Sequence, residues 1–176
     1  MIKYIITILF STLLLLSCPF DEANVEVTIL AHKSISKAVK SEDFEKALKE
    51  VENNKELYEY FKEENGTNLY QPLIDATIAK NSTKVKTILD RSLVLEIKEL
   101  LGQVEENFDK YQKSRLLLIK TKKHLKALTK EKESMRIMKK ILKSIGNPGL
   151  MGVGKKEADK EKFLENKTLL IKSIKE

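Results

Sequence analysis

Basic side chains are concentrated in one stretch of this sequence, where their number and spacing suit them to bind an anion. Residues 113–143 contain twelve Lys or Arg but only two carboxylates, Glu131 and Glu133, and neither Pro nor Gly. Apolar residues recur there at helical spacing, which predicts one amphipathic helix about 46 Å long at ~1.5 Å per residue. Such a helix is long enough to follow an extended anionic chain.

Two sets of these basic residues recur at intervals of three, four and seven, so each set can line part of one helix face. The first set contains Lys120, Lys123 and Lys130, with His124 beside them, and the second extends from Lys132 to Lys143. The predicted ligand-binding residues are Lys120, Lys123, Lys130, Arg136, Lys139, Lys140 and Lys143.

The charge balance of the whole chain leaves a second interpretation open. Residues 110–176 carry 20 Lys and Arg against 7 Asp and Glu, a net +13, so residues 1–109 carry −6 of the total +7. The acidic half could fold back on the basic half, and their fields would then partly cancel. Alternatively, the basic half meets an anionic partner.

Residues that could perform covalent or metal chemistry are sparse. His32 and His124 lie 92 positions apart, Cys18 is the only cysteine, and the carboxylates are scattered among lysines. This distribution forms neither a metal-ligand cluster nor a general acid–base pair. We therefore predict a protein that is not an enzyme and that has no cofactor, no metal site and no intramolecular disulfide.

The first residues have the pattern of an export signal. Lys3 precedes an apolar run from Ile5 to Leu16, which is shorter than the roughly 20 residues that span a bilayer, and Ser17 and Cys18 follow it. We predict a signal peptide over residues 1–17, a lipidated cysteine and flexible tether over residues 18–27, and a helical domain over residues 28–176. Acyl chains on Cys18 would hold the protein on a membrane without a spanning segment.

The end of that signal resembles the lipobox of bacterial lipoproteins, in which a small residue precedes the cysteine that is diacylated after cleavage. Leu15, Ser17 and Cys18 fit this pattern, and Leu16 departs from it in the looser manner seen in spirochaetal lipoproteins. With its helical body rich in Lys, Ile and Asn, the chain is similar to the small plasmid-encoded surface lipoproteins of Borrelia-type spirochaetes. The resemblance implies anchoring to the outer membrane, display at the cell surface and contact with host or vector.

That location determines the partner we expect for the basic helix. A surface protein meets host polysaccharides, whereas an exported protein rarely meets nucleic acid. We therefore predict an adhesin or immune-evasion lipoprotein that binds a polyanion such as a sulfated glycosaminoglycan, or a host protein. The alternative is a structural envelope lipoprotein without a host ligand, whose charge serves only solubility.

A short segment also resembles part of an ankyrin repeat, which makes an ankyrin-like interaction module the remote alternative. Gly66, Pro72, Ala76 and Val85 carry the resemblance, with Asn81 near the turn. A solenoid needs about three stacked repeats to bury its faces, and the sequence shows no convincing second copy. A further match, Gly149 to Lys156, has the G-x4-G-K spacing of a phosphate-binding loop but lacks the Ser or Thr that must contact the magnesium, so we predict a hinge there.

Helix-forming residues dominate the elements that must position these groups, so we predict an all-α fold, a single bundle of five or six helices behind the tether. Ser41 is the predicted N-cap of a helix that runs to about Glu64, with a break near Asn53. We leave open whether the fourth helix continues through Gly102 or stops there. We also predict that the turn 116–119 is surrounded by protein, and that four leucines are buried: Leu118, Leu125, Leu128 and Leu142.

Overall fold

The computed structural model describes residues 25–128, 132–149 and 154–174. The predicted signal peptide, Cys18 and Lys130 lie outside these ranges. Within them the chain forms helices with two isolated antiparallel bridges, Lys62 with Asn68 and Asn147 with Lys156, so the all-α class is confirmed. The helices are α1 Val25–Lys40, α2 Phe44–Asn53, α3 Lys55–Tyr60, α4 Tyr70–Ile78, α5 Ser82–Glu106, α6 Tyr111–Leu128, α7 Lys132–Ser144 and α8 Lys160–Ser173.

The 25-residue helix α5 connects two hydrophobic cores. The first core joins α1 to α4 with the N-terminal half of α5, and the second joins the C-terminal half of α5 with α6, α7 and α8. The helix continues through Gly102 to Glu106, which settles that question. The described chain therefore holds eight helices around two cores, rather than five or six around one.

Two helix ends in the first core have the same unusual backbone geometry. Beyond α1, the N–H groups of Glu42 and Asp43 donate to the carbonyls of Val39 and Ala38 at 3.1 and 3.0 Å, and Glu42 has a φ of 58°. This is a Schellman motif, in which glycine usually occupies the left-handed position. Asp43, and not Ser41 as predicted, then caps α2 by accepting from the Lys46 N–H. The Ser41 hydroxyl donates backwards into α1 instead.

The same geometry recurs 38 positions later, between α4 and α5. Lys80 has a φ of 52°, its N–H and that of Asn81 donate to Thr77 and Ala76, and Asn81 caps α5 by accepting from the Lys84 N–H. Buried residues repeat in the same register: Ile35 with Leu73, Ala38 with Ala76, Ala47 with Val85, and Val51 with Leu89. The pairs α1–α2 and α4–α5 are thus two copies of one helix-turn-helix unit.

The two copies are not stacked as successive repeats of a solenoid would be. Helix α1 packs on α5, and α2 packs on α4, so each helix meets the opposite member of the other pair. A repeat that stacked by translation would bring like helices together. Each unit therefore packs crosswise on the other, and the ankyrin-like segment lies within the first core rather than in a stacked array.

The predicted 46-Å basic helix is wrong, because the stretch forms two helices, α6 and α7, on either side of residues 129–131. Helix α6 forms an antiparallel hairpin with α5, in which the Ser114 hydroxyl donates to the Asn107 carbonyl at 2.6 Å. Helix α7 forms another with α8, where the Asp159 N–H donates to the Ser144 carbonyl at 2.8 Å. Each hairpin buries its own apolar stripe, so each half of the stretch is placed by a different partner.

Burial follows the predicted stripe only in part. Leu118 and Leu125 are fully buried, as predicted, whereas Leu128 and Leu142 are only partly buried against the second core. The turn 116–119 is not surrounded, because Leu116 is 50% exposed and Ile119 is 41% exposed. Their neighbours Leu117 and Leu118 take the only inward positions of that turn.

The glycine-rich segment after α7 is closed by backbone hydrogen bonds at its base. Asn147 and Lys156 exchange two bonds of 2.8 Å, and Gly146 has a φ of 71° where a Cβ would lie 2.6 Å from the Lys156 carbonyl oxygen. Four residues of the G-x4-G-K match, 150–153, lie outside the described ranges. The last helix begins at Lys160, capped by the Asp159 side chain.

Candidate anion-binding face

Helix α7 separates its apolar and basic residues completely. Ser134, Ile137, Met138, Ile141 and Ser144 are buried, and the opposite face is exposed and carries Lys132, Glu133, Arg136, Lys139, Lys140 and Lys143. Successive cations are three or four residues apart, counting Lys139 and Lys140 as neighbours at one level of the helix. At ~1.5 Å per residue they form one row about 16 Å long. We call this row the α7 basic face, defined by Lys132, Arg136, Lys139, Lys140 and Lys143.

One carboxylate interrupts the row at its N-terminal end. Arg136 donates from Nε and Nη2 to the two Glu133 oxygens at 2.8 and 2.9 Å. These hydrogen bonds hold the pKa of Glu133 below its usual value, so the pair remains ionised. Lys139, Lys140 and Lys143 make no ion pair within the described residues, which leaves three lysine charges turned to solvent over one helical turn.

The neighbours of α7 also test the interpretation that the acidic half folds back on the basic half and cancels its field. Helix α7 packs on α6 and α8, which both belong to the basic half. The contacts between ionisable side chains of the two halves that the described residues show lie elsewhere, between His124 and Glu96 and between Lys167 and Glu105. The described part of the acidic half, residues 25–109, therefore leaves the α7 basic face uncovered.

The first predicted set does not assemble into a comparable face on α6. Lys123 is exposed, but Lys120 is partly buried and Lys130 lies outside the described residues. His124, which we expected at the surface or partly buried beside these lysines, points the other way and is fully buried. The second set, from Lys132 to Lys143, is described completely and lies on one helix face.

The buried His124 contacts a carboxylate that sequence analysis missed. Its Nε2 lies 2.9 Å from Oε2 of Glu96, whose side chain is 3% exposed. This contact does not have the alignment of a hydrogen bond, and neither Glu96 oxygen has a hydrogen-bond partner within the described residues. The other ring nitrogen of His124, Nδ1, lies 3.0 Å from the Lys120 carbonyl oxygen. The signal was available, because Glu96 lies between Leu93 and Leu100 on the apolar stripe of α5.

A second polar cluster lies in the first core, between α1 and α5. His32 Nε2 is 3.0 Å from one Asp90 oxygen, and Lys86 donates to the other at 2.5 Å. Burial raises the pKa of Asp90, but the hydrogen bonds from His32 and Lys86 outweigh it, and the net shift is downward. This cluster forms one wall of a cavity of about 550 Å³ that also contacts the last turn of α6.

The described residues offer no group of three or more His, Cys, Asp or Glu side chains that could hold a metal ion. Among the described helices, none has the length and apolar character needed to cross a membrane. Comparison with known proteins gives no further indication: no family model matches the chain, and neither a curated protein nor a solved structure is significantly similar to it.

Proposed function

We propose that this protein is an exported lipoprotein, anchored through Cys18 and displayed at the cell surface, that binds a sulfated polysaccharide through the α7 basic face. The observation that carries the proposal is the row of exposed cations on α7, which residues 25–109 of the acidic half leave uncovered. The lipobox-like sequence before Cys18 supports the location.

The chemistry of the row suits a flexible polymer of repeated charge. Lys139, Lys140 and Lys143 present ammonium groups as point charges without a fixed geometry. Such groups attract sulfates of many orientations, and their reach falls to about 8 Å at physiological ionic strength. Binding should therefore be salt-sensitive and should tolerate variation in the polymer.

Heparin affinity tests the ligand. A protein of residues 21–176, which retains every described helix, should elute from heparin above physiological salt. Replacing Lys139, Lys140 and Lys143 by Ala should lower the eluting salt concentration markedly, because it removes three of the lysine charges in the row that make no ion pair within the described residues. The matched control replaces Lys37, Lys49 and Lys84 by Ala, which removes the same charge from exposed positions on α1, α2 and α5.

Two results of the heparin experiment would contradict the proposal. Wild-type elution below physiological salt would refute polysaccharide binding. An equal shift in both triple variants would mean that the column measures only net charge, and the α7 basic face would have no special role.

Location is tested separately on native cells. We expect the intact mass of the membrane-extracted protein to correspond to a chain that begins at lipid-modified Cys18. We also expect protease added to whole cells to degrade the protein. Protection from protease in intact cells would support the envelope lipoprotein without a host ligand, and a mature chain without lipid would contradict the anchor.

A further inference from the structure

The cavity in the first core combines an apolar floor with a basic rim. Val85 and Leu89 of α5 are fully buried beneath it, and Val39 and Leu128 complete the apolar lining. Three lysines, Lys40, Lys86 and Lys126, also contribute to the lining. A volume of about 550 Å³ lies within the range of roughly 300 to 1,000 Å³ that is usual for sites that bind small organic molecules.

The charges around the cavity are not all balanced within the protein. Asp90 is already held by His32 and Lys86, so that cluster forms a neutralised wall. Lys40 and Lys126 make no ion pair within the described residues, and Glu42 is the only other carboxylate in the lining. The rim therefore has an excess of positive charge beside an apolar floor.

We propose that this cavity binds an amphiphilic monoanion, a molecule with one acidic head group and a single acyl chain. The acyl chain lies on Leu128, Ala127 and Val39, above the buried Val85 and Leu89, where it leaves water. The head group lies between Lys40 and Lys126. Because burial of the chain is non-directional while the head group needs the lysines, the site distinguishes an acid from a neutral molecule of the same length. The site shares no residue with the α7 basic face.

Calorimetric titration of the residue 21–176 protein tests the proposal with two probes, dodecanoate and dodecanol, below their aggregation concentrations. Wild-type protein should bind dodecanoate with one saturable site and bind dodecanol more weakly. The Lys40→Met and Lys126→Met double variant keeps the side-chain bulk but removes the charge, so dodecanoate should bind about tenfold more weakly while dodecanol is unaffected. The control is the double variant Lys37→Met and Lys84→Met. It removes the same two charges, but from exposed lysines that do not line the cavity.

Filling the cavity provides an independent test. Ser36 lines it from α1, and Ser36→Phe should abolish binding of both probes without loss of helical circular dichroism. If that variant does not fold, Ser82→Phe at the exposed first turn of α5 serves the same purpose. No saturable binding by wild type, equal weakening in the control pair, or unchanged binding in a folded Phe variant would each overturn the proposal.

Discussion

The contact between His124 and Glu96 places two ionisable side chains inside the second core. Removing one partner leaves the other as a buried polar group without its neighbour, which typically costs about 1 to 3 kcal/mol. We therefore expect His124→Leu to lower the free energy of unfolding by this amount, as measured by urea denaturation. Glu96→Leu combined with His124→Leu should cost less than either single substitution, because no buried polar group is then left without its partner.

The partly buried pair His32 and Asp90 in the first core provides a comparison for these substitutions. His32 and Asp90 have side-chain exposures of 12% and 24%, and Lys86 still compensates Asp90 after His32 is removed. His32→Leu should cost distinctly less than His124→Leu. If the double substitution at 96 and 124 costs as much as the sum of the single ones, the two side chains do not interact and the pairing is refuted.

Tyr60 provides a prediction for alkaline pH. Burial, and then the hydrogen bond that its hydroxyl donates to Glu99 at 2.9 Å, raises the pKa of Tyr60 to about 12. In the unfolded chain Tyr60 ionises near its ordinary value of 10. This residue therefore costs no stability below pH 10, and the folded state loses stability as the pH rises from about 10 to about 12.

Substitutions at the two ends of this hydrogen bond test that assignment. Tyr60→Phe should make the free energy of unfolding fall less steeply between pH 10 and 12. Glu99→Gln should lower the pKa of Tyr60 only part of the way toward 10, because burial, the larger cause, persists. Ultraviolet titration of the phenolate follows the second effect, and an unchanged titration in Glu99→Gln would contradict the role of the carboxylate.

At the residue scale, the sequence predicts which residues share a helix face, because periodicity determines this. It does not predict which face packs against another helix. The spacing of the cations from Lys132 to Lys143 was sufficient to place them on one face, because one continuous helix carries them all. The same spacing misplaced His124, since periodicity defines a face but does not show which face meets α5. Glu96 looked like one carboxylate among many, although its position among leucines marked it.

At the scale of the element, the two Schellman corners place non-glycine residues in the left-handed region. That conformation costs an L-residue with a Cβ about 1 kcal/mol, whereas glycine adopts it readily. Lys80→Gly should therefore raise the free energy of unfolding by about 1 kcal/mol in urea denaturation. The control is Lys84→Gly, at a regular helical position one turn later, which should lower it by a similar amount.

These corners also show why helix boundaries were harder to predict than helices. Ser41 and Asp43 both have side chains that can cap a helix, and the choice of Asp43 depends on the positive φ of Glu42 between them. Loss of stability in Lys80→Gly would show that the side chain contributes more through its contacts than the backbone strain costs.

At the scale of the whole molecule, the sequence predicted the start and the apolar residues of α5 but not its contribution to two cores. Its apolar residues occur on more than one side, because the N-terminal half faces one core and the C-terminal half faces another. A count of amphipathic segments therefore predicted one bundle of five or six helices. The all-α class follows from the composition. The division into two cores depends instead on which helices pack together.

The crosswise packing of α1–α2 on α4–α5 has a consequence for assembly. In this molecule α1 packs on α5 and α2 packs on α4, so each unit covers apolar residues of the other. A chain that lacks residues up to about 60 would present on α4 and α5 a surface shaped for its own counterpart, and two such chains could close it as a homodimer. The first core is thus equivalent to a two-subunit interface whose subunits are joined in one polypeptide.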